Sequence, residues 1–278
     1  SYTHCKVEND SQTVREKNLQ SYKKFTAIIG GRLKRLSDRI SFILHDIQFF
    51  RGLSTSFPIF ELLSFKHHSK AQLRQDLLVL CLSDFKSGGF FVEFGATDGV
   101  KWSNTWMLEK KFNWKGILAE PGQSWHSKLK KNRDCIVETK CVWSASGMVL
   151  EFTEDVEPEL SGVTSLLRAE VPGTTNNNRS YSVKTISLTD LLLSHNAPRT
   201  IDYLSIDTEG SEFIILENFD FGRFDIKLIT VEHNYYPTRT KIFDLLSRHG
   251  FVRVFNDLSK FDDWYVSSRH IKELGINP

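Results

Sequence analysis

Short apolar runs alternate with segments of helical periodicity from about residue 70 to the end of the chain. The runs FFVEF (90–94), GILAE (116–120), IDYLSID (201–207) and KLITVEH (227–233) have the length and composition of buried strands. Helices are predicted around 69–85, 104–111 and 211–218, and FVRVFN and WYVSS predict an antiparallel pair of strands near the end. Strands that alternate with helices predict an α/β fold with a doubly wound, mostly parallel sheet.

The segment between the second and third of these four strands is less regular. CVWSASGMVLEF (141–152) predicts a strand followed by a hairpin. The stretch 153–183, which contains PGTTNNNRSYS, is polar and lacks periodicity. Loops of that length are usually functional lids or disordered segments, so we expect a lid or a disordered loop here.

The N-terminal region carries one long amphipathic pattern. Six apolar residues recur at steps of three and four and so form a single helical stripe: Leu33, Leu36, Ile40, Ile43, Ile47 and Phe50. The stripe has three candidate partners, namely the chain's own α/β domain, a second copy in a homodimer, or an anionic membrane surface. We therefore expect residues 1–70 to form a helical N-terminal extension and residues 71–278 to form the α/β domain.

Charge and cysteine content narrow the class of protein. Residues 1–86 hold 14 Lys/Arg and 8 Asp/Glu, whereas the whole chain has a net charge of only +2. The basic residues are spread out without a recognition motif, so nucleic acid is not an expected partner. Four scattered cysteines without a C-x-x-C pair favour a reducing compartment and no zinc site. No signal peptide and no apolar run of about 20 residues is visible, so a cytoplasmic protein is expected.

The first strand runs directly into a glycine-rich turn, Gly95 to Gly99. Ligands of open α/β sheets bind at the carboxyl ends of the strands, where glycine lets the backbone approach them closely. Glu120 follows Gly99 by 21 residues at the end of the next strand, which suits a carboxylate that binds ribose hydroxyls. Thr97 occupies the position of the second glycine of G-x-G-x-x-G, which disfavours a pyrophosphate.

The acidic neighbours of this turn, Glu93 and Asp98, favour a nucleoside with a cationic part, such as S-adenosylmethionine (SAM). Two alternatives stay open at this point. One is an NAD-dependent oxidoreductase on a similar sheet. The other is a SAM-binding or scaffolding module without catalytic activity.

Four motifs between about residues 75 and 266 carry a family resemblance: E-x-G-A-x-x-G, S-N-T, I-L-x-E-P and D-x-E-G-x-E. With them the chain resembles the FkbM-type SAM-dependent methyltransferases, in which Asn is commoner at the position of Thr97. The resemblance implies a Rossmann-like class I methyltransferase with a seven-stranded sheet and an antiparallel C-terminal strand. It also implies SAM as the cofactor and methylation of a hydroxyl group, often on a sugar of a glycan or natural product.

The same resemblance implies roles for individual residues. Glu93, Gly95, Ala96 and Gly99 would shape the methionine pocket, and Asp98 and Asn104 would bind the amino acid portion or hold the loop. Glu120 would bind the ribose with Pro121 beside it, and Val142 and Trp143 would border the adenine.

Acceptor chemistry is expected at the ends of the strands IDYLSID (201–207) and KLITVEH (227–233). Asp207, Glu209 and His233 are the candidate catalytic residues, with His233 as the general base for a hydroxyl. Alternatively, Asp207 and Glu232 would hold a hard cation such as Mg²⁺. Three aromatic residues are candidates for contact with the substrate: Trp102, Tyr235 and Tyr236.

Overall fold

The computed structural model describes residues 40–53, 57–155, 161–167 and 178–273, together with Ile276. The chain divides into two compact units, Ser1–Arg51 and Gly52–Pro278. This division lies before the predicted boundary at residue 70. The reason is that the segment after residue 57 packs within the second unit, where the ring of Phe65 contacts those of Phe85 and Phe112.

Eight helices and eleven strands lie in the described residues. The helices are α1 (40–53), α2 (Ile59–Phe65), α3 (Gln75–Leu82), α4 (Trp106–Phe112), α5 (His126–Asn132), α6 (Leu188–Ser194), α7 (Glu212–Glu217) and α8 (Thr238–Arg248). The strands are β1 (Phe90–Phe94), β2 (Lys115–Ala119), β3 (Ile136–Glu138), β4 (Cys141–Trp143), β5 (Val149–Glu154), β6 (Gly162–Val163), β7 (Arg179–Ser187), β8 (Thr200–Ile206), β9 (Asp225–Glu232), β10 (Phe251–Val254) and β11 (Asp262–Ser267). None of these helices is long and apolar enough to cross a membrane.

Seven strands form the main sheet in the order β10-β11-β9-β8-β1-β2-β3. All neighbours are parallel except β11, which is antiparallel to both β9 and β10. The predicted doubly wound sheet with an antiparallel C-terminal strand is therefore confirmed. The strand order reverses beside β1, whose neighbours are β2 and β8, and a crevice for ligands is expected at that point.

The central strands of this sheet are buried on both faces. In β1, β2 and β8 every residue after the first is buried, which explains why the sequence shows continuous apolar runs rather than alternation. One core cluster joins the strands to α6, α7 and α8 through Leu191, Leu216 and Leu246.

A second, four-stranded sheet has the order β4-β7-β5-β6. The prediction of one long loop over 153–183 is wrong in two places, where β6 and the first half of β7 form. Residues 156–160 and 168–177 of the predicted loop lie outside the described residues. The first half of β7 is mostly solvent-facing and polar, so its sequence lacks the apolar alternation that reveals a strand. Its pairing with β5 decides its structure.

The predicted N-terminal stripe is described only from Ile40 onward, and Leu33 and Leu36 lie outside the described residues. Ile40, Ile43 and Ile47 are 50%, 57% and 58% exposed, whereas Phe50 is buried. Contact of the stripe with the chain's own α/β domain, with a second copy or with a membrane surface stays a prediction in each case.

Candidate functional site

A cavity of about 340 Å³ opens at the carboxyl ends of β1, β2, β8 and β9. Ten residues of the predicted site line it: Glu93, Gly95, Trp102, Asn104, Glu120, Pro121, Val142, Asp207, Glu209 and Glu232. Sequence reasoning missed several other lining residues, among them Gln72, Lys101, Phe152, Val163, Asn234 and Phe261. Phe152 and Val163 belong to the second sheet, which therefore forms part of the wall.

Gly95 is required by a close approach of two strand ends. A Cβ atom built on Gly95 would lie 1.9 Å from the backbone oxygen of Asp207, and the residue has φ +71°. Only glycine fits both the left-handed backbone and the contact. The glycine after β1 thus lets the end of β8 lie beside the cavity floor.

The carboxylate of Glu120 is held by two backbone N–H groups. Thr97 N donates to Oε2 at 2.8 Å and Gly122 N donates to Oε1 at 2.7 Å. Burial raises the pKa of Glu120 to about 7, although the two N–H donors favour the ionised form. Thr97, at the position where the dinucleotide fingerprint has glycine, thereby orients this acid toward the cavity.

Glu93 holds the S-N-T loop rather than reaching out to a ligand. Its carboxylate accepts hydrogen bonds from Asn104 N at 2.7 Å, from Ser103 Oγ at 3.0 Å and from Thr105 Oγ1. The fully buried Arg133 supports the same loop by donating to Ser103 Oγ at 3.0 Å and to Thr105 Oγ1 at 2.8 Å. Sequence reasoning missed Arg133, since its position after α5 carries no motif.

Asn104 presents an unused acceptor in the cavity wall. Its Nδ2 donates to Ser205 Oγ at 2.9 Å, which fixes the orientation of the amide. Its Oδ1 is buried and has no hydrogen-bond partner, and only 8% of the residue is exposed. Buried polar atoms are normally paired, so this oxygen is suited to a donor group of a ligand.

Asp207, Glu209 and Glu232 bring one carboxylate oxygen each to within 4.8 Å of one another. Burial and the neighbouring charge of Asp207 raise the pKa of Glu232. Burial, and to a smaller extent the charges of Asp207 and Glu212, raise the pKa of Glu209 to about 8. The cluster therefore favours protons or another positive charge.

Glu209 is held in place by the loop that precedes α7. Glu209 has φ +54°, an uncommon conformation for a residue with a side chain. The Glu212 Oε1 accepts hydrogen bonds from Thr208 N and Gly210 N, each at 3.0 Å, on either side of Glu209. The first-turn acid of α7 thus closes the loop and presents Glu209 to the cavity.

His233 lies outside the cavity, against the prediction that it acts there as a general base. Its Nδ1 accepts a hydrogen bond from Tyr235 N at 2.9 Å, so its Nε2 carries the hydrogen and donates to Asp262 O at 3.1 Å. Only 3% of the residue is exposed, and burial lowers its pKa. Successive residues of a strand point to opposite sides, so Glu232 faces the cavity and His233 faces away.

Three predicted residues of the glycine turn, Ala96, Asp98 and Gly99, do not line the cavity. They stabilise the turn that does. Asp98 Oδ1 accepts hydrogen bonds from Val100 N at 2.9 Å and Lys101 N at 2.8 Å, so it holds the loop. A Cβ on Gly99 would lie 2.6 Å from Arg133, which shows that Gly99 serves packing. Ala96 is buried in the core.

Of the aromatic residues predicted to contact a ligand, only Trp102 lines the cavity. Trp102 lines the cavity and is 46% exposed, with the Lys101 ammonium 4.0 Å from its ring centre. Trp143 packs against the core of the second sheet, and Val142 alone of that pair reaches the cavity. Tyr235, 68% exposed, and Tyr236 lie next to the lining residue Asn234 but do not line the cavity themselves.

No curated protein matches the chain. Among solved structures, the chain is similar to the precorrin-6y C5,15-methyltransferase from Geobacter metallireducens GS-15. The two share 10% identity and a TM-score of 0.37, over 69% of this chain and 85% of that one.

A family model described as "Methyltransferase FkbM domain" matches residues 93–257, more than half of the chain. The match covers the glycine turn, Glu120 and the acidic cluster. The NAD-dependent oxidoreductase alternative is therefore wrong, and so is the module without catalytic activity. The chain belongs to the FkbM family of SAM-dependent methyltransferases.

Proposed function

We propose that this methyltransferase transfers the methyl group of SAM to a hydroxyl group, on a sugar of a glycan or of a glycosylated metabolite. The observation that carries the proposal is the acidic cluster of Asp207, Glu209 and Glu232, which lines the same cavity as Glu120 and Asn104. A hydroxyl acceptor requires a group that takes up its proton, and the cluster supplies carboxylates for that purpose.

The cavity residues fit SAM in charge and in hydrogen bonding. The buried carboxylate of Glu120 suits the two ribose hydroxyls, and the unpaired Oδ1 of Asn104 suits the ammonium of the methionine part. Val142, Phe152 and Pro121 offer an apolar wall for the adenine. When bound, SAM supplies an electrophilic methyl group on a positively charged sulfonium.

Glu209 is the best candidate for the general base. Its pKa of about 8 lies close to neutral pH, where an effective base has its pKa. Burial raises the pKa of both Asp207 and Glu232, and these two residues on neighbouring strand ends would orient the acceptor hydroxyl. In this proposal the carboxylate of Glu209 accepts the hydroxyl proton as the acceptor oxygen takes the methyl group.

The sugar part of the proposal rests on the open side of the cavity. Trp102 offers a partly exposed ring there, and such rings stack on the apolar faces of sugars. Lys101 and Gln72 lie beside it and supply polar groups for hydroxyls. Tyr235 and Tyr236 would extend this surface for a larger acceptor such as a glycan.

A divalent cation is the second candidate for activating the acceptor. Asp207, Glu209 and Glu232 are oxygen ligands of the type that Mg²⁺ prefers, and their oxygens are close enough to share one ion. The two mechanisms differ in one measurement. Loss of activity in EDTA, with recovery on adding Mg²⁺ or Mn²⁺, supports the cation; activity unaffected by EDTA leaves Glu209 as the base.

The proposal is tested in two steps. Calorimetry with S-adenosylhomocysteine, and with NAD as the control, should show binding of the first alone. Incubation with SAM and a panel of sugar, glycan, amine and carboxylate acceptors should then give a methyl mass increase only on hydroxyl compounds. Methylation of amines instead would overturn the hydroxyl proposal while leaving the methyltransferase family untouched.

A further inference from the structure

The chain leaves β9 through two consecutive residues in the left-handed region of the backbone. Asn234 has φ +41° and Tyr235 has φ +58°. Asparagine tolerates this conformation, whereas a bulky residue such as tyrosine adopts it under strain. Strained backbone persists only where the surrounding structure holds it, and it is concentrated at functional sites. The turn after Glu232 is therefore imposed by its neighbours rather than by its own residues.

His233 holds this turn in place. Its buried imidazole accepts a hydrogen bond from Tyr235 N at 2.9 Å and donates one to Asp262 O at 3.1 Å. Its ring also meets the ring of Tyr235 edge-on, with 5.2 Å between the centroids. The backbone N–H groups of His233 and Asn234 both donate to Phe261 O, at 2.8 and 3.2 Å. The imidazole and the loop before β11 together fix the position of Asn234.

The side chain of Asn234 lines the same cavity as Asp207 and Glu232. Its amide offers two N–H donors and an acceptor oxygen, and no described residue is hydrogen-bonded to it. Three strand spacings, about 14 Å, separate β9 from β2, the strand that leads to Glu120. The amide therefore lies on the acceptor side of the cavity, beyond the reach of a ribose bound at Glu120.

We propose that Asn234 binds a second hydroxyl group of the acceptor, next to the hydroxyl that is methylated, and that His233 is the positioning residue for Asn234. An amide suits a hydroxyl because it can donate to the oxygen and accept from the hydrogen. The inference rests on the proposed hydroxyl acceptor and narrows it to compounds with two neighbouring hydroxyls, such as sugars. The acidic cluster receives the reacting hydroxyl, and Asn234 orients the acceptor through its neighbour.

Kinetics with matched acceptors test the role of Asn234. The full chain is assayed with SAM and the methyl glycosides of glucose, galactose, mannose and rhamnose, and then with the deoxy analogues that lack a hydroxyl next to the methylated one. The original chain should prefer the parent glycoside over one of these analogues by about 5- to 100-fold in kcat/KM, the effect of leaving one hydrogen-bonding group unpaired. Asn234→Ala should raise KM for the parent and lose this preference, while the Kd for S-adenosylhomocysteine stays the same.

Asn196→Ala is the matched control for this variant. Asn196 also has a left-handed backbone, with φ +51°, but it does not line the cavity. The same change of side chain at the same type of backbone should keep the preference for the parent glycoside.

The positioning role of His233 is tested by two substitutions. His233→Leu deletes the acceptor for Tyr235 N, so it should raise KM for the parent glycoside and leave the Kd for S-adenosylhomocysteine unchanged. His233→Asn should recover much of the loss, because an asparagine oxygen can accept from the N–H two residues further on. A residue with a structural role alone would lower the melting temperature without this difference in KM.

His270→Ala is the control for removal of a hydrogen-bonded histidine. His270 is bonded to Asp225 at 2.8 Å and to Glu273 at 2.9 Å, and it does not line the cavity. This variant should be less stable than the original chain and have the same KM.

The outcomes separate this inference from the proposed function. Methylation of a glycoside with an unchanged preference in Asn234→Ala would overturn the inference and leave the proposed function intact. An unchanged KM in His233→Leu would overturn the positioning role. Methylation of amines alone, or of none of the glycosides, would overturn the proposed sugar acceptor itself, and this inference with it.

Discussion

The backbone oxygen of Asp207 lies where the side chain of residue 95 would begin: a Cβ on Gly95 would be 1.9 Å away from it. Gly95 is the residue directly after β1, and Asp207 is the residue directly after the neighbouring strand β8. This contact joins the cofactor side of the cavity to its acidic cluster. The close approach of the Glu120 side of the cavity to the acidic cluster therefore depends on glycine at position 95.

Substitution of this glycine should disturb both stability and binding. Gly95→Ala adds the cost of a left-handed backbone, about 1–2 kcal/mol, and a clash that forces the two strand ends apart. The control is Gly88→Ala, because Gly88 has φ +73° but no atom within 4 Å of its Cβ position. Urea unfolding should show a larger loss for Gly95→Ala, and calorimetry should show weakened S-adenosylhomocysteine binding in that variant alone. Equal losses in the two variants would mean that the close approach has no energetic consequence.

Removal of the Glu120 carboxylate should weaken cofactor binding. Glu120→Ala deletes hydrogen bonds to a charged acceptor, a loss of about 1.5–3 kcal/mol, or roughly 10- to 150-fold in Kd for S-adenosylhomocysteine. Glu154→Ala is the control, since Glu154 is also a buried acid with a backbone donor, Ser124 N at 2.9 Å, but it does not line the cavity. An unchanged Kd in Glu120→Ala, measured by calorimetry, would remove Glu120 from the site.

Glu209→Gln should affect turnover far more than binding. The amide keeps the size of the side chain but cannot take up a proton, so kcat should fall by a factor of about 10² to 10⁴ while the Kd for S-adenosylhomocysteine changes little. In the pH profile, the rise of kcat with an apparent pKa near that of Glu209, about 8, should disappear.

His233→Ala is the companion variant for this test. It removes hydrogen bonds to Tyr235 N and Asp262 O, so it should lower the melting temperature and keep the pH profile of kcat. If His233→Ala abolished that pH dependence and Glu209→Gln preserved it, the assignment of the base would have to be reversed.

Stability without ligand should decrease as pH rises. Folding raises the pKa of Glu209 from 4.5 to about 8, so the folded chain binds more protons than the unfolded chain between these values. The stabilisation is complete below pH 4.5 for this group and is lost as pH passes through about 8. Glu232, whose pKa is also raised, acts in the same direction. Melting temperatures measured from pH 5 to 9 should fall, and Glu209→Gln should flatten the decline; a rise with pH would contradict the cluster's protonation.

The sequence alone determined the alternation of strands and helices and the edge of the sheet where the cavity lies. Continuous apolar runs mark strands buried on both faces, and ligand residues follow the carboxyl ends of such strands. Glu120, Asp207 and Glu209 could be placed at one edge for that reason. The glycine at position 95 could be linked to close backbone approach, because few other residues adopt its backbone conformation.

Only the tertiary structure decided which side each residue faces and what covers it. His233 follows Glu232 directly, yet the two side chains point to opposite sides of the sheet at the end of β9. The hydrophobic pattern of the sequence does not locate the end of a strand to within one residue, so it could not tell which of the two faces the cavity. Arg133, Phe152 and Val163 reach the site or its supporting loop from segments without any motif. Their contribution comes from long-range packing, which joins residues distant in sequence and so leaves no local periodicity in the chain.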